Sequence, residues 1–161
     1  MLILGVDPGS SVTGFGLVDN VSGKLTYCHE EQLKLPVRVD IGEKLAQLYD
    51  CTAAIIEKYK PVQLAVEGIF YGSNVKSMLV LGQARGAVMV AAARHGLKIF
   101  EYPPTTVKQT VAGYGRATKD QIQHMVKLLL QIKQVSGEHA ADALAIAICH
   151  HHHIRVEYKK S

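Results

Sequence analysis

The sequence predicts an α/β fold: a mixed five-stranded sheet, its first three strands antiparallel, flanked by helices. Three observations carry this. Three strand-like segments crowd into the first 35 residues with only turns between them, which makes an antiparallel meander. Beyond them, apolar runs of strand length alternate with stretches of helical spacing. The chain has 161 residues, 48% apolar and 20% charged, enough to bury one proper core.

The elements follow in order. "LILGV" (2–6) is an apolar run closed by Pro8-Gly9, a buried strand. "TGFGLVD" (13–19) alternates as a second strand, and after a turn at 19–23 "KLTYCHEEQLKL" (24–35) is a more exposed third. Asp40 is placed to cap a helix, with Glu43 completing a capping box, and Ile41, Leu45, Leu48, Thr52, Ile55 and Ile56 keep helical spacing until Pro61 ends it. "VQLAVEGIF" (62–70) repeats the opening pattern of an apolar run ending in an acid and then glycine. A long helix follows over about 74–95, with Gly96 just past its end and small residues along it. "LKIFEY" (97–102) is the fifth strand. Thr105 is placed to cap a short helix ending near Gly113, and "TKDQ" (118–121) opens another to about Ile132. Gly137 precedes a final helix, "EHAADALAIAICHH". Consecutive histidines in "CHHHH" (149–153) point around a helix and cannot share one ion. The run reads as a helix C-terminus, its imidazoles near the negative dipole end and gaining charge below neutral pH. Residues 1–154 then form a single domain, and 155–161 a basic tail.

A net charge of +4 and a pI near 8.9 favour an anionic partner only mildly. Three cysteines at unrelated spacings suggest no disulfide framework, which fits a cytoplasmic protein. The N-terminus has an acid at position 7 and no basic leader, and charge or glycine interrupts every apolar stretch before membrane-spanning length. No Walker-type phosphate loop occurs.

The chemistry lies in four residues. Asp7 and Glu67 each end a strand, while His139 and Asp142, three apart, share one face of the last helix. Taken singly, each has an ordinary reading: Asp7 as a turn former, Glu67 as a solvated strand end, Asp142 as an early-helix acid. Taken together, they can converge if that helix packs on the sheet. Clustered carboxylates repel, and a hard divalent cation such as Mg²⁺ or Mn²⁺ relieves the repulsion. Two such ions can activate a water and stabilise the leaving oxygen of a phosphodiester.

"LGVDPGSSVTGFGLV", "VEGIF", "SMLVLGQARGAV", "PPTTVKQTVAGYGRATKDQIQHMVKLLL" and "HAADALAIAICH", in this order, resemble the RuvC family of Holliday-junction resolvases. The resemblance implies an RNase H-like fold, a homodimer and Mg²⁺-dependent, paired symmetric nicking of four-way DNA junctions in recombination and repair. It also implies collaboration with the RuvAB branch-migration complex. Asp7, Glu67, His139 and Asp142 would be catalytic metal ligands, two ions to a site. His139 stands where many members carry aspartate and some histidine; an imidazole there favours Mn²⁺. Glu138 is a rival ligand, turned about 100° around the helix.

By the same resemblance Lys108 and Lys119 would neutralise phosphates, Arg116 would extend that patch, and Phe70 would stack on an unpaired base. Tyr71, Ser73, Asn74 and Lys76 would line the same groove, whereas Lys127 reads as a solvated helix face. The opening hairpin also resembles that of actin-like kinases and Hsp70-type ATPases, but those need two lobes and the chain is too short for two. An RNase H-like nuclease for RNA–DNA hybrids and a non-catalytic junction-binding module remain alternatives.

Overall fold

The computed structural model describes residues 1–36, 38–68 and 75–158, with side chains through Ile154. The elements fall in the expected order: β1 (Leu2–Asp7), β2 (Val12–Val21), β3 (Lys24–Lys34), α1 (Ile41–Tyr59), β4 (Gln63–Glu67), α2 (Val75–Arg94), β5 (Lys98–Tyr102), α3 (Pro104–Ala112), α4 (Lys119–Leu130) and α5 (Glu138–Tyr158). Asp40 accepts the Glu43 N–H at the start of α1, and Thr118 and Gln121 close a reciprocal capping box on α4. The short α3 begins at Pro104, not at a Thr105 cap. Proline suits that first position, where its missing N–H is no loss.

The strands lie in the order β3-β2-β1-β4-β5. β1 runs antiparallel to β2 and parallel to β4, and β4 runs parallel to β5. The sheet is therefore mixed, its first three strands antiparallel. Alternation along each strand splits the core in two. Leu4, Val6, Phe15, Leu17, Leu64 and Val66 face α1 and α2. Ile3, Val18 and Ala65 face the other side, packed with residues of α3, α4 and α5.

From Ala140 to His151 every residue of α5 except Asp142 is buried. The helix is sandwiched between the sheet and the shorter helices, which is why it is apolar all round. Glycines bring it onto the strands: a Cβ at Gly5 would meet the Ala143 carbonyl oxygen, one at Gly14 the His139 carbonyl, and one at Gly16 the backbone of Leu144.

The histidine run is not a helix end, because α5 continues to Tyr158. His150 is wholly buried; its Nε2 donates to Gln63 Oε1 at 2.9 Å and its Nδ1 accepts from the Tyr102 hydroxyl at 2.7 Å. His151 Nε2 donates to the Val18 carbonyl at 2.9 Å. Burial pushes the His150 imidazole down to about 4 and lowers that of His151, so neither supplies charge just below neutral pH.

One helix departs from the expectation about membranes. By length and composition alone α2 is apolar enough to cross one. Yet Arg85 lies mid-helix and only 13% exposed, Ala84, Val88 and Ala92 pack into the core, and Val75, Leu79 and Val90 face outward.

Candidate active site

Strand parity sets the first two carboxylates. The parallel register pairs Ile3 with Gln63, Gly5 with Ala65 and Val6 with Val66, so Asp7 and Glu67 end adjacent strands. Both belong to the alternating set of Gly5 and Ala65, on the face that α5 covers. Because Gly14 admits the α5 backbone at His139, the first turns of that helix sit directly over the end of β1. The loop leading into α5 is clamped from β3: the Ser136 N–H donates to Glu30 at 2.7 Å, and the Ser136 carbonyl accepts from Gln32 Nε2 at 3.0 Å.

Asp7, Glu67, His139 and Asp142 consequently line one cleft of about 330 Å³, together with Lys108 from α3 and Lys119 from α4. Val107, Ile122, Ala145 and Ile146 supply apolar walls. His139 Nδ1 lies 2.7 Å from Asp7 Oδ2. Glu138 turns instead to Lys119, Oε2 to Nζ 2.9 Å, on the exposed rim. Of the two candidates on this turn, His139 is the one in the cleft.

The acids are held under electrostatic stress. Burial, then repulsion from Asp7 and Asp142, pushes Glu67 up to about 7. Burial and repulsion from Asp7 push Asp142 up to about 6, against Lys119 and His139. Three carboxylates and an imidazole in a half-buried cleft form an oxygen-rich donor set with unrelieved repulsion, which suits a divalent cation. Among the described residues no three such side chains stand close enough to grip an ion as they are placed. Asp7 and His139 are hydrogen-bonded to each other and would have to turn.

Arg116 is exposed on the α3–α4 connection and Lys127 is half-buried along α4; neither lines the cleft. Lys76 is exposed in the first turn of α2. Phe70, Tyr71, Ser73 and Asn74 lie outside the described residues. Sequence reasoning missed Gly14, Glu30 and Gln32, which hold the start of α5 over β1, and Arg85, whose Nε donates to the Glu67 carbonyl. Their signals were a glycine within a strand and a lone cation inside an apolar helix.

Comparison with known proteins identifies the family. The family model for crossover junction endodeoxyribonuclease RuvC matches residues 3–150. A RuvC from Legionella pneumophila strain Philadelphia 1 is 48% identical over 151 residues, covering 94% of this chain and 87% of that protein. One from Pelotomaculum thermopropionicum is 44% identical over 160 residues, covering 99% and 98%. The solved structure of Thermus thermophilus RuvC in complex with a Holliday junction substrate superposes with a TM-score of 0.91 at 32% identity, covering 98% and 96%. With its RNase H-like sheet and strand-end carboxylates, the chain belongs to the RuvC family of crossover junction endodeoxyribonucleases.

Proposed function

We propose that this protein resolves four-way DNA junctions by paired, symmetric nicks, with Asp7, Glu67, His139 and Asp142 as its divalent-metal ligands and catalytic groups. The observation that supports this assignment is their convergence, from β1, β4 and α5, on one cleft with lysines at its edge. When bound there, Mg²⁺ or Mn²⁺, two ions to a site, would supply an activated water and charge stabilisation for the leaving oxygen.

The chain's own residues do the rest. Lys108 and Lys119 attract the phosphate backbone and seat the scissile group beside the carboxylates. Lys119 exchanges its surface partner Glu138 for a phosphate, a cheap exchange because water already screens an exposed pair of this kind. Burial and mutual repulsion keep Glu67 and Asp142 protonated to higher pH than ordinary carboxyls, so protons compete with cations for these two groups near neutral pH. Val107, Ile122 and Ile146 narrow the cleft and limit bulk water around the reacting phosphate.

Arg116 and Phe70 would add contacts to the junction backbone and to an unpaired base. Homodimerisation through α2 fits its outward Val75, Leu79 and Val90, which share a face with Gly82 and Gly86. Two sites related by a two-fold axis match a nearly two-fold junction. The same reading places a single domain over 1–154 and a basic tail over 155–161, with action in the cytoplasm alongside the RuvAB branch-migration complex.

The test incubates purified protein with a synthetic four-way junction, a linear duplex and an RNA–DNA hybrid, each with Mg²⁺, Mn²⁺ or chelator. Symmetric cuts in the junction alone, absent with chelator, are expected. Asp7→Asn should retain junction binding and lose cleavage; retained cleavage, or preferential cutting of the hybrid, would refute the assignment.

A further inference from the structure

We propose that Arg85 is a positioning residue for Glu67, holding the end of β4 from the face of the sheet opposite the catalytic cleft. The inference rests on the reading of Glu67 as a metal-binding carboxylate.

Arg85 sits in the middle of α2, between core residues Ala84 and Val88, with its side chain 13% exposed. A guanidinium in such a place is costly unless its donors are used. Its Nε donates to the backbone carbonyl of Glu67 at 3.2 Å. Its far end pairs with the carboxylate of Glu101 on the neighbouring strand. One planar fork therefore spans the ends of β4 and β5, which a lysine could not do with the same rigidity.

The ends of those strands need holding. Glu67 is the last residue of β4, and its carboxylate is repelled by both Asp7 and Asp142. The easiest relief would be for the strand end to swing away from β1. On one edge the Gly68 N–H bonds to the Tyr102 carbonyl at 2.8 Å, which ties β4 to β5. The pairing of β4 with β1 stops at Val66, so that tie by itself leaves the two strand ends beyond it free to move together. Arg85 supplies the missing restraint, because it anchors the Glu67 backbone and Glu101 to a helix packed in the core. Parity puts the two functions on opposite faces: the Glu67 carboxylate faces α5, while Glu101, adjacent to the inward Phe100 and Tyr102, faces α2.

The experiment compares wild type, Arg85→Met, Arg85→Lys, Glu101→Gln and Asp7→Asn. Four quantities are read: junction affinity in chelator, single-turnover cleavage at saturating protein, Mn²⁺ binding to the free protein by electron paramagnetic resonance, and melting temperature. Arg85→Met should slow cleavage roughly tenfold or more and weaken Mn²⁺ binding comparably, as misplaced groups around a metal site do. Junction affinity should stay within about twofold, since Arg85 touches no DNA in this account. Arg85→Lys should recover part of both losses, and Glu101→Gln should lose a smaller part. If Arg85→Met does not fold, the lysine and glutamine variants, which keep the core filled, decide by the same criteria. Unchanged cleavage and Mn²⁺ binding in these variants overturns the proposal, as does a loss confined to junction affinity. Full cleavage by Asp7→Asn instead overturns the underlying site assignment, whatever Arg85 does.

Discussion

His139 Nδ1 and Asp7 Oδ2 are 2.7 Å apart although 132 residues separate them in the chain. An ionised carboxylate only accepts, so Nδ1 is the donor in this contact. Binding a cation would break this contact and turn both side chains towards the ion. The pair joins the first strand to the last helix and so sets how closely the two ends of the site approach.

An imidazole in place of a fourth carboxylate softens the donor set and removes a negative charge. The protein should therefore favour Mn²⁺ over Mg²⁺ when metal is limiting. His139→Asp is expected to lower the Mn²⁺-to-Mg²⁺ ratio of cleavage rates by roughly threefold or more. An unchanged ratio would mean that the ring takes no part in metal binding.

Glu67 and Asp142 trade stability for function. Their folded values, about 7 and about 6, exceed the ordinary 4.5 and 3.8. The native state thus holds protons that the unfolded chain has released, and stability from these groups is fully present only below the ordinary values and is lost as pH rises from there through the folded values of about 6 and about 7. Glu67→Gln and Asp142→Asn should each stabilise the metal-free protein at pH 8, by on the order of 1 kcal/mol, while abolishing cleavage. Wild-type cleavage should fall as pH drops through the same window. Thermal melts at pH 5 and pH 8, in chelator, check the sign: the variants should gain clearly more at the higher pH.

His150 acts in the opposite direction. Its folded value, about 4, lies below the ordinary 6.5, so the unfolded state takes up a proton first. The stability it contributes is present above about 6.5 and is lost as pH falls towards 4. His150→Gln, uncharged throughout, should flatten the acid limb of the stability profile while costing roughly 1–3 kcal/mol at neutral pH through its misplaced hydrogen bonds. An acid limb identical to wild type would show that other groups drive acid unfolding.

Gly14 tests the contact beneath His139. Alanine there drives a methyl group into the helix backbone, which cannot yield without lifting the start of α5. A loss of roughly 2–4 kcal/mol is expected, with cleavage falling further than the unfolded fraction explains. Cleavage scaled to the folded fraction, measured by circular dichroism on the same samples, separates the two.

The order of elements was legible because apolar periodicity and turn residues are local signals. The apolar run "LILGV", the alternation in "TGFGLVD", the stop at Pro61 and the box at Thr118 each act within a few residues. The histidine run misled for the same reason. Locally it looks polar and terminal, yet Tyr102, Gln63 and the Val18 carbonyl satisfy His150 and His151 from strands far away in sequence. Arg85 was passed over likewise, since nothing near it in the chain names its partners at Glu67 and Glu101.

By itself the sequence determined the five strands and five helices, the strand-end positions of Asp7 and Glu67, and the shared helix face of His139 and Asp142. Tertiary structure alone decided that these four meet, that Glu138 turns away to Lys119, and that two histidines are core residues. The reason is physical: periodicity says which side of an element is apolar, whereas the approach of one backbone to another depends on what both surfaces leave room for. At Gly5, Gly14 and Gly16 the room is a missing side chain, and a missing side chain has no hydrophobic signature to read.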